Sequence, residues 1–528
     1  MPAGQGAVTL APLQSFRLHR HHRRLTRHGM LFLAGFAQPQ LDYPHRPLTQ
    51  TYLTAFAVLL ASNHATRNRN ANVNSARLIL VSLICAVPAI VLVDGPIVEG
   101  LVVAVLSGGI GVVAGTLRQG EAGFLLTVIR PIAGFAIIPA VWMLFQIIPL
   151  NHTGLAHPIW QSAEQALGYR ISGSISVNPG ATLLALGRYM SILAVMLLAA
   201  AVAVDRERAE WILFALVGAT ALVAVVLIGH DLMDFIFLNG GSGGSTGRAQ
   251  ARDCVALGVI VSTAAAIRTF ERRETAHLHA VRSATTCMQT LAACLVALML
   301  CVIAIALDFT GNLMFIVTYG LGMLLAVVAI RRIGFGIWGG TAIAVTAWLV
   351  AIAVIGSQPA IRNADLTLAF ASKQPASLIS TTQHILTDVR WTGTGAGTFA
   401  SLVPIYRDAG DVVADPAAPT AASNIVIALG RPMFWMMVVT VMFAIFVLLR
   451  GALNRGRDSF YPAAGASCLL SLLLFSFCDN GILGLPVGIC AAAIIGLAFA
   501  QHTSRTTAQV GDGEWRSGLR RRAHGHLK

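Results

Sequence analysis

The sequence predicts an all-α, polytopic integral membrane protein with about twelve transmembrane helices. Of its 528 residues, 56% are hydrophobic and only 11% are charged, whereas soluble domains carry about 25% charged residues. Its mean hydropathy is +0.71, and windows of about 19 residues repeatedly reach the hydrophobicity that a spanning helix requires. The net charge of +14 therefore has to be interpreted from where the arginines lie between the apolar segments. It does not by itself predict nucleic-acid binding, and no nucleic-acid partner is expected.

Twelve apolar windows are the predicted spans, and their order along the chain sets the topology. The sixth is the shortest. The windows cover residues 77–93, 97–116, 123–149, 182–204, 211–237, 253–267, 287–307, 310–330, 336–356, 433–450, 461–478 and 481–499.

The arginines and lysines predict the orientation of these spans. With the N-terminus in the cytoplasm, 27 of the 37 basic residues fall in cytoplasmic segments, seven fall outside and three lie within or beside spans. Such an asymmetry is typical of an inner-membrane protein with both termini cytoplasmic. The chain then divides into a basic N-terminal segment, 1–76, a membrane domain, 77–500, and a basic tail, 501–528. Basic segments beside a membrane attract anionic lipids, so membrane lipids are expected partners.

This orientation exports two long loops, residues 150–181 and residues 357–432, the second between spans nine and ten. Loops of this length are usually functional or disordered. In the second loop, "STTQHILTDVRW" predicts a short surface helix that ends at Gly393, because a Ser/Thr cap precedes apolar residues at helical spacing. The Pro- and Ala-rich stretch "DVVADPAAPTAAS" (411–423) predicts an irregular return to the membrane.

The eight cysteines predict packing and not metal binding. They are scattered, mostly inside apolar windows, with no C-x-x-C pair and no nearby histidine group of zinc type. Neither a metal nor a cofactor is predicted.

The stretch "RWTGTGAGTF" (390–399) is the first that looks like a chemical motif. A nucleotide-binding loop requires glycines that open a helix after a strand, and a P-loop also requires Gly-Lys-Ser/Thr. Here the spacing is G-x-G-x-G, no lysine follows, and the predicted location is outside the cell. The glycines at 393, 395 and 397 instead indicate a tight turn near the membrane surface.

Three segments resemble the bacterial O-antigen ligase and exopolysaccharide polymerase family. "WTGTGAGTF" followed by "PIYRD" (391–408) is similar to the family's glycine segment in its large external loop. Residues 155–199, which contain "ISVNPGATLLALGR", resemble the entry to the fourth span. "STGRAQARDCVALGVIV" (245–261) is similar to a segment before a later span. The resemblance covers roughly residues 77–500 when the order of the segments and the topology are included.

The resemblance implies a glycosyltransferase that uses neither nucleotide sugar nor metal on the outer face of the membrane. Its substrate would be a polyprenyl-diphosphate-linked glycan, with polysaccharide assembly proteins as further partners. The departing diphosphate requires cations, and arginine stays charged and can hold phosphate oxygens in a bidentate manner. We expect the substrate-binding residues to be basic, glycine or amide residues of the external segments: Arg248, Arg252, Arg390, Arg407, Arg431, Gly393, Gly395, Gly397 and Asn424.

Arg248 and Arg252 are the preferred phosphate-binding pair because a spacing of four places them on one helical face. The alternative is that they are solvated loop charges with Asp253 as a partner. Arg188 and Arg431 lie near the outer ends of spans, where snorkelling to the interface is the alternative to function.

The catalytic base is where the sequence departs from the family. Relatives carry His-Asn where the large loop re-enters the membrane, whereas this chain has Ser423 followed by Asn424. Relatives also carry Ser-Arg before span eight, whereas this chain has Gly-Asn at 311–312. His384, Asp388 and Asp408 are the predicted substitutes, and His384 is preferred because histidine has a suitable pKa for a base near neutral pH. The missing His favours a polymerase over a ligase.

Two other classes stay open. A family member without catalytic groups would serve as a membrane scaffold in a polysaccharide assembly complex. A transporter would show internal repeats or polar residues at the membrane midplane, and neither is evident in the sequence.

Overall fold

The structure, a computed structural model, describes twelve stretches of the chain. These are residues 75–93, 95–114, 134–150, 154–237, 245–276, 281–307, 311–333, 365–368, 370–371, 375–407, 417–454 and 459–502. The described residues form helices and connecting loops without a strand. The ninth predicted span, 336–356, and most of both predicted terminal segments lie outside them.

Fifteen α-helices and two 3-10 turns, Leu366–Leu368 and Gly481–Leu483, are described. The α-helices are α1 (Ser75–Leu92), α2 (Pro96–Ala114), α3 (Gly134–Ile147), α4 (Ile159–Leu167), α5 (Pro179–Val202), α6 (Arg206–Phe237), α7 (Ser245–Ala276), α8 (Val281–Leu307), α9 (Gly311–Ile333), α10 (Ala376–Asp388), α11 (Phe399–Tyr406), α12 (Ala421–Leu429), α13 (Arg431–Asn454), α14 (Phe460–Phe475) and α15 (Leu485–His502).

The all-α membrane architecture predicted from the sequence is confirmed for the described residues. Seven of the described helices, α1, α5, α6, α7, α8, α13 and α15, contain a segment long and apolar enough to cross a membrane. Shorter apolar helices occupy Ile97–Val112, Gly134–Ile147, Ile316–Arg331 and Phe460–Phe475. The described part of each predicted window other than 336–356 overlaps one of these helices, while residues 115–133, which include parts of the second and third windows, lie outside the described residues. The predicted count of twelve spans stays a prediction.

Helix α7 is longer than its predicted window of 253–267. It runs from Ser245 to Ala276, and 78% of its most apolar window is buried. The sequence window stops short because charged residues flank it, and the fold accommodates several of those charges with acids from neighbouring helices. Together with α15, of which 89% is buried, α7 forms the centre of the helical bundle.

Small residues let these central helices approach closely. A Cβ atom on Gly258 of α7 would lie 2.7 Å from the Cβ of Thr220 and 3.0 Å from the Sγ of Cys301. On α15, a Cβ on Gly496 would collide with the carbonyl oxygen of Met196. Small residues at helix contacts are typical of membrane proteins, because van der Waals packing holds their helices together.

One buried ion network ties three helices together. Glu210 of α6 accepts hydrogen bonds from Arg268 of α7, at 2.7 Å, and from Arg272. Arg268 also lies over the ring of Phe460 in α14, with 5.4 Å between its Cζ and the ring centroid. Glu210 and Arg268 are buried at 7% and 5% exposure. The network therefore fixes α6, α7 and α14 at the end that the topology predicts to be cytoplasmic.

The opposite end, which we call the loop end, carries residues 154–178, 375–407 and 417–430, together with the first turns of α7 and the turn at 476–484. The predicted helix in the second loop is present, but it begins earlier, at Ala376, and it ends at Asp388, so the predicted end at Gly393 is wrong. Of the predicted irregular return at 411–423, residues 411–416 lie outside the described residues, and the prediction is wrong for 421–423, which begin helix α12. The reason is a helix cap, because the side chain of Thr420 accepts a hydrogen bond from the backbone N–H of Ser423 at 3.1 Å.

Candidate functional site at the loop end

The three glycines of "RWTGTGAGTF" all adopt left-handed backbone conformations. Their φ values are 76°, 105° and 76° at Gly393, Gly395 and Gly397, which only glycine adopts readily. A Cβ on Gly393 would collide with the carbonyl oxygen of Ala428, and one on Gly395 would lie 2.8 Å from the Oγ1 of Thr182. The predicted turn is present, and its glycines let the backbone approach other parts of the protein.

This turn joins two segments that are distant in the sequence. The backbone N–H of Val177 donates to the carbonyl of Thr394 at 2.9 Å, and the N–H of Thr394 donates to the carbonyl of Ile427 at 2.9 Å. The N–H of Gly395 donates to the carbonyl of Ala428 at 3.0 Å. We call the unit formed by residues 174–182, 391–398 and 427–430 the loop junction. It links the first predicted external loop, the glycine turn and helix α12.

A buried glutamine of α3 fastens the loop junction to the bundle. The Nε2 of Gln146 donates to the carbonyls of Thr392 and Ala428, both at 2.9 Å. The carbonyl of Gln146 also accepts from the N–H of Ser176 at 3.0 Å, and the side chain is 0% exposed. One residue therefore contacts all three segments of the junction.

Replacing Gln146 with alanine should destabilise the protein by about 1–3 kcal/mol, because the buried carbonyl of Thr392 would lose its donor and that of Ala428 would keep only the N–H of Gly395. The measurement is the thermal unfolding of the purified chain in detergent, together with limited proteolysis of the loops. Gln383→Ala is the matched control, since Gln383 is exposed on α10. Equal stability of the two variants would show that the junction does not depend on Gln146.

A second group of side chains lies where α7 begins, and we call it the polar cluster: Arg252, Asp253, Asn424, Asp479 and Asn480. Asn424 of α12 donates to the side chain of Asn480 at 3.3 Å. The side chains of Asp253 and Asp479 are within hydrogen-bonding reach of one another, and Arg252 interacts electrostatically with Asp253. Arg252 and Asn424, two of the predicted substrate-binding residues, therefore belong to one cluster. Asp253, Asp479 and Asn480 lie between them.

Arg248, the other member of the predicted pair, has a separate partner. It forms an ion pair with Asp231 of α6, and its side chain is 34% exposed. Arg188 forms a similar pair with Glu99 of α2. Arg248 is therefore not a solvated loop charge. It takes part in a partly buried ion pair between α6 and α7.

Arg390 and Arg431 each connect parts of the loop end. The Nη1 of Arg390 lies 3.4 Å from the carbonyl oxygen of Ala156. Burial, and to a smaller extent the charge of Arg390, lowers the pKa of His157 from its usual 6.5. Arg431, at the start of α13, pairs with Asp365 at 3.2 Å and reaches the carbonyl of Leu386 at 3.4 Å. Both arginines therefore hold loop segments in position as well as carrying charge.

The predicted base residues lie on the surface of α10. His384 and Asp388 are both exposed, one helical turn apart. Burial, followed by the charge and hydrogen bond of Asp388, raises the pKa of Tyr406 in α11. Arg407 is exposed directly after α11. These residues form a surface group on α10 and α11. Asp408 lies outside the described residues.

Sequence reasoning missed Asp479, Asn480 and Gln146. The signal for the first two was present in "CDNG" (478–481), where an acid and an amide follow an apolar window. Charged residues at a span end are by default functional hypotheses, but only the fold shows that this segment meets the start of α7 and the start of α12.

The loop end as a whole offers fixed cations, two facing carboxyls and side-chain amides next to a rigid junction. Such a set can hold an anionic group and can exchange protons, and it contains no cluster suited to a metal ion among the described residues. Comparison of the chain with known proteins finds no matching family model and no similar curated protein.

Proposed function

We propose that this chain is a polysaccharide polymerase or ligase-like glycosyltransferase that uses polyprenyl-diphosphate-linked glycans in surface polysaccharide or exopolysaccharide synthesis. It would work in a bacterial inner membrane, with the loop end on the outer face and both termini in the cytoplasm. Membrane lipids would surround it, and polysaccharide assembly proteins would be its partners.

The loop junction is the observation that carries the proposal. The two most similar segments, around Asn178 and around Gly395, are more than 200 residues apart in the sequence. The hydrogen bond from Val177 to Thr394 joins them directly, and α12, the segment compared with the family's re-entry, completes the same unit. The resemblance rests on sequence motifs, their order and the topology, so the contact of its segments in one unit is independent support.

The chemistry assigns roles to the charges at this end. In the transfer, the bond from the sugar's anomeric carbon to the phosphate oxygen breaks, and the acceptor's hydroxyl oxygen bonds to that carbon. The hydroxyl proton passes to a base, for which His384 and Asp388 stay the predicted groups. The polyprenyl diphosphate leaves with added negative charge, which Arg252 would stabilise, with Arg248 released from Asp231 as a second cation.

The test is to delete the gene, size the surface glycans, and complement with Arg252→Ala, Arg252→Lys and His384→Ala. We expect deletion to change glycan length, and Arg252→Ala to lower transfer by roughly 100-fold, a typical effect of losing one group that stabilises developing charge. Arg252→Lys should restore part of the activity. Arg170→Ala is the matched control, because Arg170 is an exposed arginine of the first loop with no role in the site.

Three outcomes separate the possibilities. Unchanged glycan length after deletion would exclude any role in polysaccharide assembly. Full complementation by both alanine variants would remove the catalytic assignments and leave a scaffold. Loss of protein from the membrane in Arg252→Ala, seen by immunoblot, would be separated from loss of activity by the lysine variant.

The scaffold alternative is supported by one observation. Ser423, at the position compared with the family's histidine, is 0% exposed, and its hydroxyl donates to the carbonyl of Thr420 at 2.9 Å. A hydroxyl used in this way is not available as a base. A scaffold predicts that deletion alters the glycans while every single-residue variant complements.

A further inference from the structure

The short helix α4 of the first loop is attached to the loop junction. The indole N–H of Trp160 donates to the carbonyl of Ser176 at 3.1 Å. A Cβ on Gly173 would lie 3.0 Å from the Cβ of Trp160, so α4 packs closely on the segment that leads into the junction. The N–H of Ser176 in turn donates to the carbonyl of Gln146. A change in the first turn of α4 would therefore act directly on the junction.

The imidazole ring of His157 holds the first backbone N–H of α4. The N–H of Ile159, the first residue of the helix, donates to the Nδ1 of His157 at 3.3 Å. The backbone N–H of His157 donates to the carbonyl of Ser174 at 3.0 Å, so the residue is also fixed to the junction. A ring nitrogen accepts a hydrogen bond only while it carries no proton. The contact with Ile159 therefore requires the neutral ring with its proton on Nε2.

Arg390, directly before the glycine turn, brings a positive charge to the same place. Its Nη1 lies 3.5 Å and 3.4 Å from the carbonyl oxygens of Gly154 and Ala156, just before His157 in the chain. The start of a helix also carries partial positive charge. A proton on Nδ1 would face the N–H of Ile159, donor against donor, and would add a second positive charge beside Arg390. The site therefore favours the neutral ring.

The other charged residues of the surrounding segments lie farther along the chain. In the described part of the first loop they are Glu164 on α4 and Arg170 after it, and in the second loop Asp388 ends α10. Helix α3 contains no charged residue. Burial of the ring, and then the charge of Arg390, lowers the pKa of His157 from its usual 6.5. The direction of this shift agrees with the contacts of the ring.

We propose that His157 is a pH-sensitive switch of the first loop, in which the neutral ring holds α4 on the loop junction and protonation of Nδ1 releases the first turn of α4. The switch does not depend on the chain being a transferase, because it follows from the contacts of one ring. In the proposed topology the loop end faces outward, so the pH outside the membrane would set the state of the switch.

The sign of the pH dependence follows from proton counting. The pKa of His157 is lower in the folded chain than the 6.5 of a free histidine. The released loop therefore binds the proton more readily than the attached loop. The stabilisation by the neutral ring is complete above about pH 6.5 and is lost as the pH falls from there through the pKa of the folded chain. One proton changes the ratio of attached to released loop by up to about tenfold for each pH unit.

The experiment measures amide hydrogen exchange of residues 159–167 in the purified full chain in lipid nanodiscs, at about pH 5 and about pH 8. His157→Asn is the test variant, because its side-chain oxygen can accept the N–H of Ile159 and cannot be protonated in this range. Wild type and variant are compared at the same pH, so the intrinsic effect of pH on exchange cancels. We expect equal exchange at the higher pH and faster exchange of the wild type at the lower pH, by up to about tenfold.

His230→Asn is the matched control, because His230 is an exposed histidine of α6. It should keep the full pH response of the wild type in residues 159–167. Equal exchange of the wild type and His157→Asn at the lower pH would overturn the proposal. A difference of the same size at both pH values would also overturn it, since it would show a structural role without a proton.

A second readout uses the wild type alone and holds even where His157→Asn fails to fold. Diethyl pyrocarbonate modifies neutral imidazole rings, and peptide mass spectrometry follows the modification of His157 separately from that of the other histidines. We expect the reaction of His157 to reach half of its maximal rate at a pH below 6.5. A midpoint at or above that value would overturn the proposal.

Discussion

Replacing Glu210 with alanine should destabilise the protein by about 3–5 kcal/mol, the usual cost of removing one partner of a buried ion pair. Arg268 would be left buried, with its guanidinium over Phe460 and no acid at 2.7 Å. Arg272 would lose the same partner, although its side chain is 50% exposed and can turn to water. The measurement is the unfolding midpoint of the purified chain, together with its yield in the membrane.

Arg208→Ala is the matched control for this change. Arg208 lies on the same helix as Glu210 and pairs with Asp205 at 3.6 Å, with side-chain exposures of 27% and 48%. Exposed pairs of this kind contribute about 0–1 kcal/mol. Similar losses in Glu210→Ala and Arg208→Ala would show that burial does not set the strength of the network.

Replacing Gly395 with alanine should disrupt the loop junction. Gly395 has a φ of 105°, and holding alanine there costs about 1–3 kcal/mol of backbone strain. The added methyl would also collide with the hydroxyl of Ser176 and lie 2.8 Å from that of Thr182, and such overpacking costs about 1–3 kcal/mol more. We expect a lower unfolding midpoint, faster proteolysis of the loops and loss of any glycan transfer.

Gly168→Ala separates strain from collision. Gly168 has a φ of 72°, and a Cβ there would meet nothing within 4 Å. Its replacement should therefore cost only the backbone term, about 1–2 kcal/mol. If Gly395→Ala were no more harmful than Gly168→Ala, the glycine turn would be an ordinary surface turn and the junction would not hold the loop end together.

Apolar length predicts most of the helices well, because burial in lipid or protein demands a continuous run of apolar residues. Apolar length placed the start of α7 too late, because Arg248 and Arg252 interrupt the apolar run there. Their charges are compensated by Asp231 and the polar cluster only in the folded chain. The glycine turn was predicted from its composition, but its contacts with Val177 and Ile427 depend on residues far away in the sequence. The link from Asn424 to Asn480 could not be predicted either, since it depends on how α12 meets the turn after α14.

The sequence predicts individual residues of the candidate site but not the contacts between them, because those contacts depend on residues far apart in the chain. Residue type alone selects Arg252 and Asn424, and the structure brings them into one polar cluster. Residue type also selected His384 and Asp388, which lie together on an exposed face of α10. The sequence pattern carries no information on the distance between that face and the polar cluster. The carboxyl of Asp253 looked like a simple partner for nearby arginines, whereas the fold places it against a second carboxyl.

The most direct measurement uses the purified full chain in lipid nanodiscs and the lipid-linked glycans that accumulate in the deletion strain. Release of polyprenyl diphosphate is followed over time in the presence of acceptor glycan. We expect release by the wild type and by Arg170→Ala, and release roughly 100-fold slower by Arg252→Ala. Lipid-linked glycans that stay intact with folded wild-type protein, or equal rates for Arg252→Ala and Arg170→Ala, would contradict a transferase site at the loop end.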